Sequence, residues 1–544
     1  MKKVFTSLVC YVSLFLGYTA SAQWSMDPSV NTPICTATNK QVDPRMMEDG
    51  KGGAYITWKD YKPANGLPDI YVQRVNAQGV VLWVLNGVAA CADSADQSTP
   101  AIVSDMRGGA IVAWSDWRSG IERDLYAQRI DSNGNIKWTV GGANITNLSN
   151  REHSEKLCSD GKGGVIVAFE KQISGIWDVW AQRLDSNGNK MWGAGGVKLA
   201  DTSGTRRNHR IQKDRNGGAI ISWQDSRNNS NYDVYAQRVN ANGTLLWGNN
   251  GKPVCKTTGD QINAKIDPDS INNGAFIAWQ DTRNSPDYDI YIQHLDSNGN
   301  ATWPLNGVVV ANAAGNQSAL DLMSISTTNE VLITWKDNRN GNYDIYAQKF
   351  NATGQAQWAA NGIVVCNSPA EQRNPNICSD ENKGGIIVWE DSTDVKAQRV
   401  SGSGQMLWAI NGEPVATAVD EQTSPKNVSD GKGGSIFVFQ DKRSGVNDIY
   451  AHHLFASGSP NALRDVKVDP VCHLYPNPTT GYLNISATQR MKYLEVLDIT
   501  GKLLQHQAAS GLQDHLDVSN LLCGIYLIRI QTEQGTVQTR FAKQ

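Results

Sequence analysis

A unit of about 55 residues recurs along this chain, and no other feature constrains its fold as strongly. In residues 100–147 the unit contains the block GGAIVAW (Gly108–Trp114) and the block DLYAQRID (Asp124–Asp131), followed by an Asn-Gly turn and Trp138. Apolar residues alternate or form short runs bounded by Gly and Asn, which is the pattern of β-strands. Four short strands in about 55 residues make one blade of a β-propeller.

Two aromatic positions of the unit count its copies. The aromatic that ends the second strand occurs eight times: Trp58, Trp114, Phe169, Trp223, Trp279, Trp335, Trp389 and Phe439. The Trp of the fourth strand also occurs eight times: Trp24, Trp83, Trp138, Trp192, Trp247, Trp303, Trp358 and Trp408. The series are offset, because a fourth strand precedes the first unit and the last unit lacks one. We therefore predict an all-β fold, an eight-bladed β-propeller over residues 23–455 closed by its N-terminal strand. A seven-bladed ring is the alternative.

The N-terminus has the three parts of a secretory signal peptide. Lys2 and Lys3 precede the apolar stretch Val9–Tyr18, and Ala20-Ser21-Ala22 has the form of a cleavage site. We predict that residues 1–22 are removed. No later apolar run approaches the roughly 20 residues of a membrane-spanning helix. Lys and Arg (50) nearly balance Asp and Glu (53), so the composition provides no basic field for nucleic acid.

Cysteines recur at repeat positions, which argues against a disulfide framework. Equivalent positions of successive units lie a whole blade apart, beyond the ~7 Å Cα separation that a disulfide tolerates. We predict that six cysteines are small buried apolar residues: Cys35, Cys91, Cys158, Cys255, Cys366 and Cys378. Whether Cys472 pairs with Cys523 is left open.

After a linker at residues 456–471, residues 472–544 carry three blocks: LYPNPTTGYLNI (Leu474–Ile485), YLEVLDITGKLL (Tyr493–Leu504) and LDVSNLLCGIYLIRI (Leu516–Ile530). Their order resembles the type A C-terminal sorting domain of type IX secretion. Cys523 stands where Pro or Ala is more usual. The residues that carry the resemblance are Tyr475, Pro476, Asn477, Pro478, Gly481, Gly524 and Tyr526.

The resemblance implies a destination and a partner. It implies passage across the outer membrane of a bacterium of the Bacteroidota type, with the type IX secretion machinery as partner. It also implies removal of the tail, followed by release or attachment to surface lipopolysaccharide. We therefore expect a secreted or cell-surface protein. Alternating apolar strands and Gly turns predict a small β-sandwich for this segment.

Asp and Arg recur in most units, as Asp116, Arg118 and Asp124 do in the second. Because an enzyme needs one asymmetric site, we predict that this set is structural. The Asp-Ser-Asn-Gly-Asn turns at residues 131–135, 185–189 and 296–300 resemble the opening of a calcium loop but lack its later acidic ligands. Asn-Gly is typical of a tight hairpin, so no cofactor is predicted, with calcium as the alternative.

Departures from the repeat supply the candidate ligand-binding residues. The third unit has Glu170 and Lys171 in place of the usual residues, and exposed Trp beside Arg suits stacking on sugars or gripping a peptide. The loops that vary in length share one face, which we expect to bind ligand. The candidates are Tyr61, Trp177, Trp180, Arg206, Arg207 and Lys396. Drift within a tolerant scaffold is the alternative explanation.

These features favour a non-enzymatic surface binding or adhesion module. The alternatives are a secreted polysaccharide-degrading enzyme, lyase or hydrolase, and a structural envelope component. Catalysis is uncertain and less expected, and no catalytic residue is assigned. The histidines are scattered along the sequence: His153, His209, His294, His452 and His453.

Overall fold

The computed structural model describes residues 24–458, except 26, 62–65, 147–150, 229 and 285. It also describes residues 472–544, except 488–489, 499–501 and 533–535. The chain divides into two compact units, Met1–Ala462 and Leu463–Gln544. The predicted signal peptide and most of the predicted linker lie outside the described residues. No helix within the described ranges is long and apolar enough to cross a membrane.

The described part of the first unit consists of short β-strands joined by turns. Their bounds are β1 Thr32–Cys35, β2 Gln41–Glu48, β3 Ala54–Tyr61, β4 Pro68–Val75, β5 Val88–Cys91, β6 Gln97–Ser104, β7 Ala110–Asp116, β8 Asp124–Ile130, β9 Ala143–Asn144, β10 Glu152–Ser159, β11 Val165–Ile173, β12 Ile176–Leu184, β13 Val197–Lys198, β14 Arg206–Lys213, β15 Ala219–Asp225, β16 Asp233–Val239, β17 Lys252–Cys255, β18 Gln261–Pro268, β19 Ala275–Asp281, β20 Asp289–Leu295, β21 Val308–Ala311, β22 Gln317–Ile325, β23 Glu330–Asp337, β24 Asp344–Phe350, β25 Ile363–Cys366, β26 Gln372–Ser379, β27 Gly385–Asp391, β28 Asp394–Val400, β29 Glu413–Ala416, β30 Gln422–Ser429, β31 Ser435–Asp441 and β32 Asp448–Leu454.

These strands form eight four-stranded antiparallel sheets. The first sheet has the order β2-β3-β4-β5, and the next six repeat it in chain order, ending with β26-β27-β28-β29. The eighth has the order β1-β32-β31-β30, with Thr32 of β1 opposite Ala451 of β32. The second strand of each sheet is almost entirely buried, which explains why blocks such as Ala110–Trp114 are continuously apolar. The predicted all-β propeller fold is confirmed.

The Trp that the sequence assigns to the fourth strand lies in the turn before that strand, and in six of the first seven sheets its indole bonds to the next sheet; Trp358 Nε1 of the sixth has no hydrogen-bond partner among the described residues. The indole Nε1 of Trp83 donates to Ser132 O at 3.1 Å, and that of Trp408 donates to Ala456 O at 3.2 Å. Trp24, from the N-terminal segment, makes the same bond to Ala77 O of the first sheet, at 3.0 Å. The indole lies on a glycine of the turn, where an added Cβ at Gly79 would meet Trp24 at 2.9 Å.

The recurring Asp and Arg hold the loop between the second and third strands. Asp116 accepts from Trp114 Nε1 at 2.9 Å and pairs with Arg118 at 2.5 Å. Arg118 also donates to Gly141 O at 2.9 Å and lies 3.9 Å above the ring of Tyr126. The same Asp–Arg pair recurs at Asp225–Arg227, Asp281–Arg283, Asp337–Arg339 and Asp441–Arg443. The predicted structural role is confirmed.

The Asp-Ser-Asn-Gly-Asn turns are hairpins held by their own aspartate. Asp131 Oδ1 accepts from the backbone N–H groups of Asn133 and Asn135, each at 2.9 Å. Across the part of the chain that the structure describes, no group of three or more His, Cys, Asp or Glu is arranged to hold a metal ion.

The cysteines at repeat positions are free thiols, and all are buried except Cys378, which is half-buried. Burial raises the pKa of Cys91 to about 12, so its thiol stays protonated at neutral pH. Cys523 is free and exposed, and the side chain of Cys472, its possible partner in the sequence, lies outside the described residues.

The described strands of the second unit are β33 Cys472–Tyr475, β34 Tyr482–Ala487, β35 Met491–Leu497, β36 Leu503–Ala508, β37 Gln513–Asp517, β38 Gly524–Thr532 and β39 Thr536–Lys543. They form two sheets, of order β33-β34-β37 and β36-β35-β38-β39. Leu483 and Leu516 of one sheet share a hydrophobic core with Leu494, Ile528 and Phe541 of the other.

Candidate functional site

The first strand of every propeller sheet carries a β-bulge near its start. In the third sheet the register shifts between His153 and Lys156, and in the fourth between Arg207 and Arg210. A residue with positive φ marks each bulge: Asp43, Thr99, Ser154, Asn208, Asn263, Ala319, Asn374 and Ser424. Bulges redirect the side chains that follow them, and they are common beside active sites.

The residue after each positive-φ residue is buried, and in two sheets it is ionisable. The eight are Pro44, Pro100, Glu155, His209, Ala264, Leu320, Pro375 and Pro425. Six sheets fill this position with Pro, Ala or Leu, whereas the third and fourth sheets have Glu155 and His209. Because burying an unpaired ionisable group is costly, this departure needs a reason beyond packing.

Glu170 is the centre of a cluster formed where the third and fourth sheets meet. Its Oε2 lies 3.8 Å from His153 Nδ1, and its Oε1 lies 3.6 Å from His209 Nδ1. Oε1 also accepts from the backbone N–H of Asn208 at 2.6 Å, and Oε2 lies 3.5 Å from Arg207 Nε. Two histidines and one arginine therefore surround a single buried carboxylate. We call His153, Glu170 and His209 the acid–base cluster.

The surroundings set the protonation of the acid–base cluster. Burial raises the pKa of Glu170, but His209, His153 and the Asn208 N–H outweigh burial and leave that pKa below its ordinary value. Burial lowers the pKa of His209, and Glu170 only partly offsets it. Burial also lowers the pKa of His153, with Arg207 and Arg151 acting in the same direction. At neutral pH the cluster therefore presents an ionised carboxylate and neutral imidazoles, which suits general base catalysis.

An aromatic and two arginines border the cluster. The ring centres of His153 and Trp177 are 4.3 Å apart, and the guanidinium of Arg207 lies 4.9 Å from the Trp177 ring centre. Arg151 lies 5.8 Å from the same ring. The side chains of Arg207 and His153 are 42% and 24% exposed. Trp177 is only 8% exposed, so the expectation of an exposed Trp is wrong there, and His153 and Arg207 are the accessible groups.

Glu155 lies beside this cluster, in the same bulge as His153. Its carboxylate accepts from Thr99 Oγ1 at 2.7 Å and Ser115 Oγ at 3.0 Å. Burial raises its pKa, against the opposing effects of Lys156 and these hydroxyls. Glu155 therefore favours its protonated form more than an ordinary glutamate does.

Two further candidates from the third and fourth units are interior residues. Arg206 is fully buried, donates to Asp178 and Thr202, and lies 3.2 Å from Asp225. Trp180 is half-buried, and Lys171 Nζ lies 4.7 Å from its ring centre. Arg206 is therefore too buried to contact a ligand and stabilises the sheets, whereas the predicted binding role of Trp180 stays a prediction.

Tyr61 and Lys396 belong to the first and seventh sheets and are not part of the acid–base cluster. Lys40 Nζ lies 4.2 Å from the Tyr61 ring centre, and Lys396 pairs with Asp391 at 2.5 Å. Their predicted role in binding stays a prediction.

The acid–base cluster was not predicted, because its histidines are scattered along the sequence. His294 and His453 do take structural positions, each pairing with an aspartate at 2.9 Å. The strand register places His153 opposite Glu170, and the packing of the fourth sheet on the third brings His209 to the same carboxylate. A usable signal was present, since aligning the units puts His209 where most others have Pro, Ala or Leu.

The family described as "Secretion system C-terminal sorting domain" matches residues 473–544. This match confirms the resemblance of the tail, indicates export to a secreted or cell-surface location, and implies the secretion machinery as a partner. No curated protein matches the sequence.

Several solved structures are similar to the propeller unit. An endo-arabinase from Bacteroides thetaiotaomicron has 17% identity and a TM-score of 0.28, over 53% of this chain and 99% of that one. An ulvan lyase has 11% identity and a TM-score of 0.43, over 68% and 95%. An α-L-arabinofuranosidase from Fusarium graminearum has 9% identity and a TM-score of 0.33, over 79% and 97%.

These comparisons contradict the predicted non-enzymatic binding or adhesion role, because the similar structures are named as glycan-degrading enzymes. With TM-scores below 0.5, they do not identify an activity. An activity must therefore be inferred from the residues of this chain.

Proposed function

We propose that this protein is a secreted polysaccharide-degrading enzyme whose active site is the acid–base cluster where the third and fourth sheets meet. The observation that carries the proposal is the convergence of His153 and His209 on the buried carboxylate of Glu170. This arrangement departs from the repeat, and an asymmetric site is what catalysis on a repeated scaffold requires. Perturbed titratable groups of this kind concentrate at functional sites.

Each residue of the site has a defined part in the proposed reaction. His153 is the accessible imidazole and transfers the proton to or from the substrate. Ser154 Oγ, 2.6 Å from His153 Nδ1, orients that imidazole, and the Glu170 carboxylate, 3.8 Å from the same nitrogen, stabilises the positive charge that forms when the ring takes a proton. His209 is too buried to reach a glycan, so it is a positioning residue that keeps Glu170 ionised. Arg207 faces solvent above Trp177, where it contacts the polar groups of a sugar.

The seventh sheet supplies a matched control for Glu170. Glu390 has the same repeat position, and its Oε1 accepts from the Ser424 N–H at 2.8 Å, as Glu170 accepts from Asn208. Its partner across the strands is Arg373, and the bulge of the eighth sheet has Pro425 where the fourth has His209. Gln440 makes the same backbone bond in the eighth sheet, so Gln is a natural replacement here.

The test measures release of reducing ends from a panel of neutral and acidic polysaccharides by the purified protein. We expect turnover of at least one of them, with Glu170→Gln reducing it roughly 100-fold or more and Glu390→Gln leaving it unchanged. Ultraviolet absorbance from a new C=C bond separates a lyase, which produces it, from a hydrolase, which does not. Equal activity of the two variants, or no turnover across the panel by wild-type protein, contradicts the proposal.

We also infer that the eight sheets close into an eight-bladed ring. The bond from Trp24 to Ala77 repeats the contact between successive sheets, and Gln440 Oε1 of the eighth sheet accepts from Asp43 N of the first at 2.7 Å. Pairing of β1 with β32 removes an open sheet edge, which otherwise promotes aggregation. The tail would be cleaved after export, with the enzyme released or attached to lipopolysaccharide.

A further inference from the structure

The bulges create a second set of equivalent positions, two residues after each positive-φ residue. All eight residues are half-buried, and five carry a positive charge. The set is Arg45, Ala101, Lys156, Arg210, Lys265, Asp321, Asn376 and Lys426. We call Arg45, Lys156, Arg210, Lys265 and Lys426 the basic cluster. A chain with no excess of basic residues has thus concentrated five cations at one repeat position.

Two cavities show that these positions converge from different sheets. One, of about 310 Å³, is lined by Arg45, Lys156 and Arg210, together with Glu155. The other, of about 280 Å³, is lined by Arg45, Lys265 and Lys426. Arg45 lines both, so residues from the first, third, fourth, fifth and eighth sheets border one continuous interior region. In a propeller, this region is the central channel.

Most of the basic cluster lacks a carboxylate partner. Arg45, Lys156, Arg210 and Lys426 each donate to the carbonyl of the preceding residue, at 2.9, 3.0, 2.8 and 2.9 Å. Within the ranges that the structure describes, only Lys265 forms an ion pair, with Asp321 at 3.3 Å. Asp321 also accepts from Asn376 Nδ2 at 2.9 Å. Glu155 bonds to hydroxyl groups, as described above.

The cations also affect one another, as expected if they face the same space. The pKa of Lys156 is lowered to about 8, mainly by burial, with Glu155 opposing the shift and Arg210 and Arg45 acting in the same direction as burial. Burial lowers the pKa of Lys426 to about 8 as well, with Arg45 and Lys265 acting in the same direction. A bound anion would relieve this repulsion.

We propose that the basic cluster is a binding site for multivalent oxyanions in the channel, namely the sulfate or carboxylate groups of an acidic glycan, or free phosphate. The N–H donors of Arg and Lys are the groups that recognise such oxygens. That the oxyanion belongs to a glycan rests on the proposed function, because His153 of the acid–base cluster shares a bulge with Glu155 and Lys156, so that one glycan could contact both clusters. If the bound anion is part of a glycan, the substrate of the enzyme is an acidic polysaccharide. Binding of an oxyanion to the basic cluster does not itself depend on catalysis.

The test is calorimetric titration of the full chain carrying Glu170→Gln, so that no turnover accompanies binding. The probes are a sulfated tetrasaccharide, a neutral tetrasaccharide and inorganic phosphate. The variant is Lys156→Gln with Lys426→Gln, which removes two charges from the basic cluster. The control is Lys162→Gln with Lys432→Gln, which removes two charges from exposed turn lysines outside it. Circular dichroism confirms that each variant is folded.

We expect the sulfated tetrasaccharide to bind and the neutral one not to bind. Affinity should fall roughly tenfold or more in the Lys156/Lys426 variant and stay unchanged in the control, because charge-assisted hydrogen bonds are lost. Binding of phosphate without the tetrasaccharide supports the oxyanion site and identifies a small free anion as its ligand. No binding of either anion, or equal affinity in both variants, overturns the proposal. If binding follows expectation while wild-type protein degrades no polysaccharide, the proposed function alone fails.

Discussion

Replacing Trp24 with alanine tests whether the N-terminal segment completes the eighth sheet and holds it to the first. Trp24 is 3% exposed, packs in one hydrophobic core with Ile34 and Ile436, and donates to Ala77 O at 3.0 Å. Truncating a buried Trp to Ala costs about 3–5 kcal/mol in all, and a lost hydrogen bond accounts for about 1 kcal/mol of such a loss. We therefore expect Trp24→Ala to lower the free energy of unfolding by about 4 kcal/mol.

Trp408→Ala is the matched comparison within the same fold. Trp408 is 7% exposed, bonds to Ala456 O at 3.2 Å, and covers Gly458 as Trp24 covers Gly79. Unlike Trp24, Trp408 is flanked in the sequence by two strands of its own sheet, β28 before it and β29 after it. If both residues join consecutive sheets of one ring, the two substitutions should destabilise the protein to a similar extent.

The assay is guanidinium denaturation followed by circular dichroism, with midpoints compared among the wild type and both variants. An exposed, frayed N-terminal segment would give a change within about 0.5 kcal/mol for Trp24→Ala. If Trp24→Ala keeps the denaturation midpoint of the wild type while Trp408→Ala clearly lowers it, the N-terminal segment does not hold the eighth sheet to the first.

Two further predictions follow from particular residues. Burial raises the pKa of Asp267 from 3.8 to about 6, so its contribution to stability is present below pH 3.8 and is lost as pH rises through about 6. At about 1.4 kcal/mol per pKa unit, the effect of Asp267→Asn on the free energy of unfolding should be more favourable by about 3 kcal/mol above this pH range than below it. Denaturation of the wild type and the variant on either side of the range measures this difference, and an equal effect at both pH values would contradict the prediction. Deleting residues 472–544 should abolish surface delivery and retain the protein inside the cell envelope, as measured by fractionation; unchanged delivery would show that the sorting domain is dispensable.

The repeat pattern predicted the sheets because each strand is encoded by local residues. The aromatic of the second strand and the Trp that precedes the fourth are visible without a structure, and both series correspond to real sheets. The recurring Asp116 and Arg118 were correctly interpreted as structural, because their repetition was itself the evidence. What repeats in the sequence was therefore predictable.

The candidate site was not predictable in the same way, because its residues do not repeat. His153 and His209 come from different sheets, and each stands alone on its strand in the sequence. The cross-strand register and the packing of one sheet on the next bring both to Glu170. The basic cluster was missed for the same reason, since each sheet contributes at most one cation to it.

The contrast between Glu170 and Glu390 shows how a repeated scaffold acquires a local chemistry. Both carboxylates accept a backbone N–H from the bulge of the following sheet, so both are required by the same structural contact. Around Glu390 the neighbouring positions hold Arg373 and Pro425, whereas around Glu170 they hold His153 and His209. A position that makes this structural contact in four sheets, through Glu170, Gln224, Glu390 or Gln440, thus becomes a candidate catalytic group in one sheet through two neighbouring substitutions. In such a protein, functional residues are found by asking which neighbours of a repeated contact have changed.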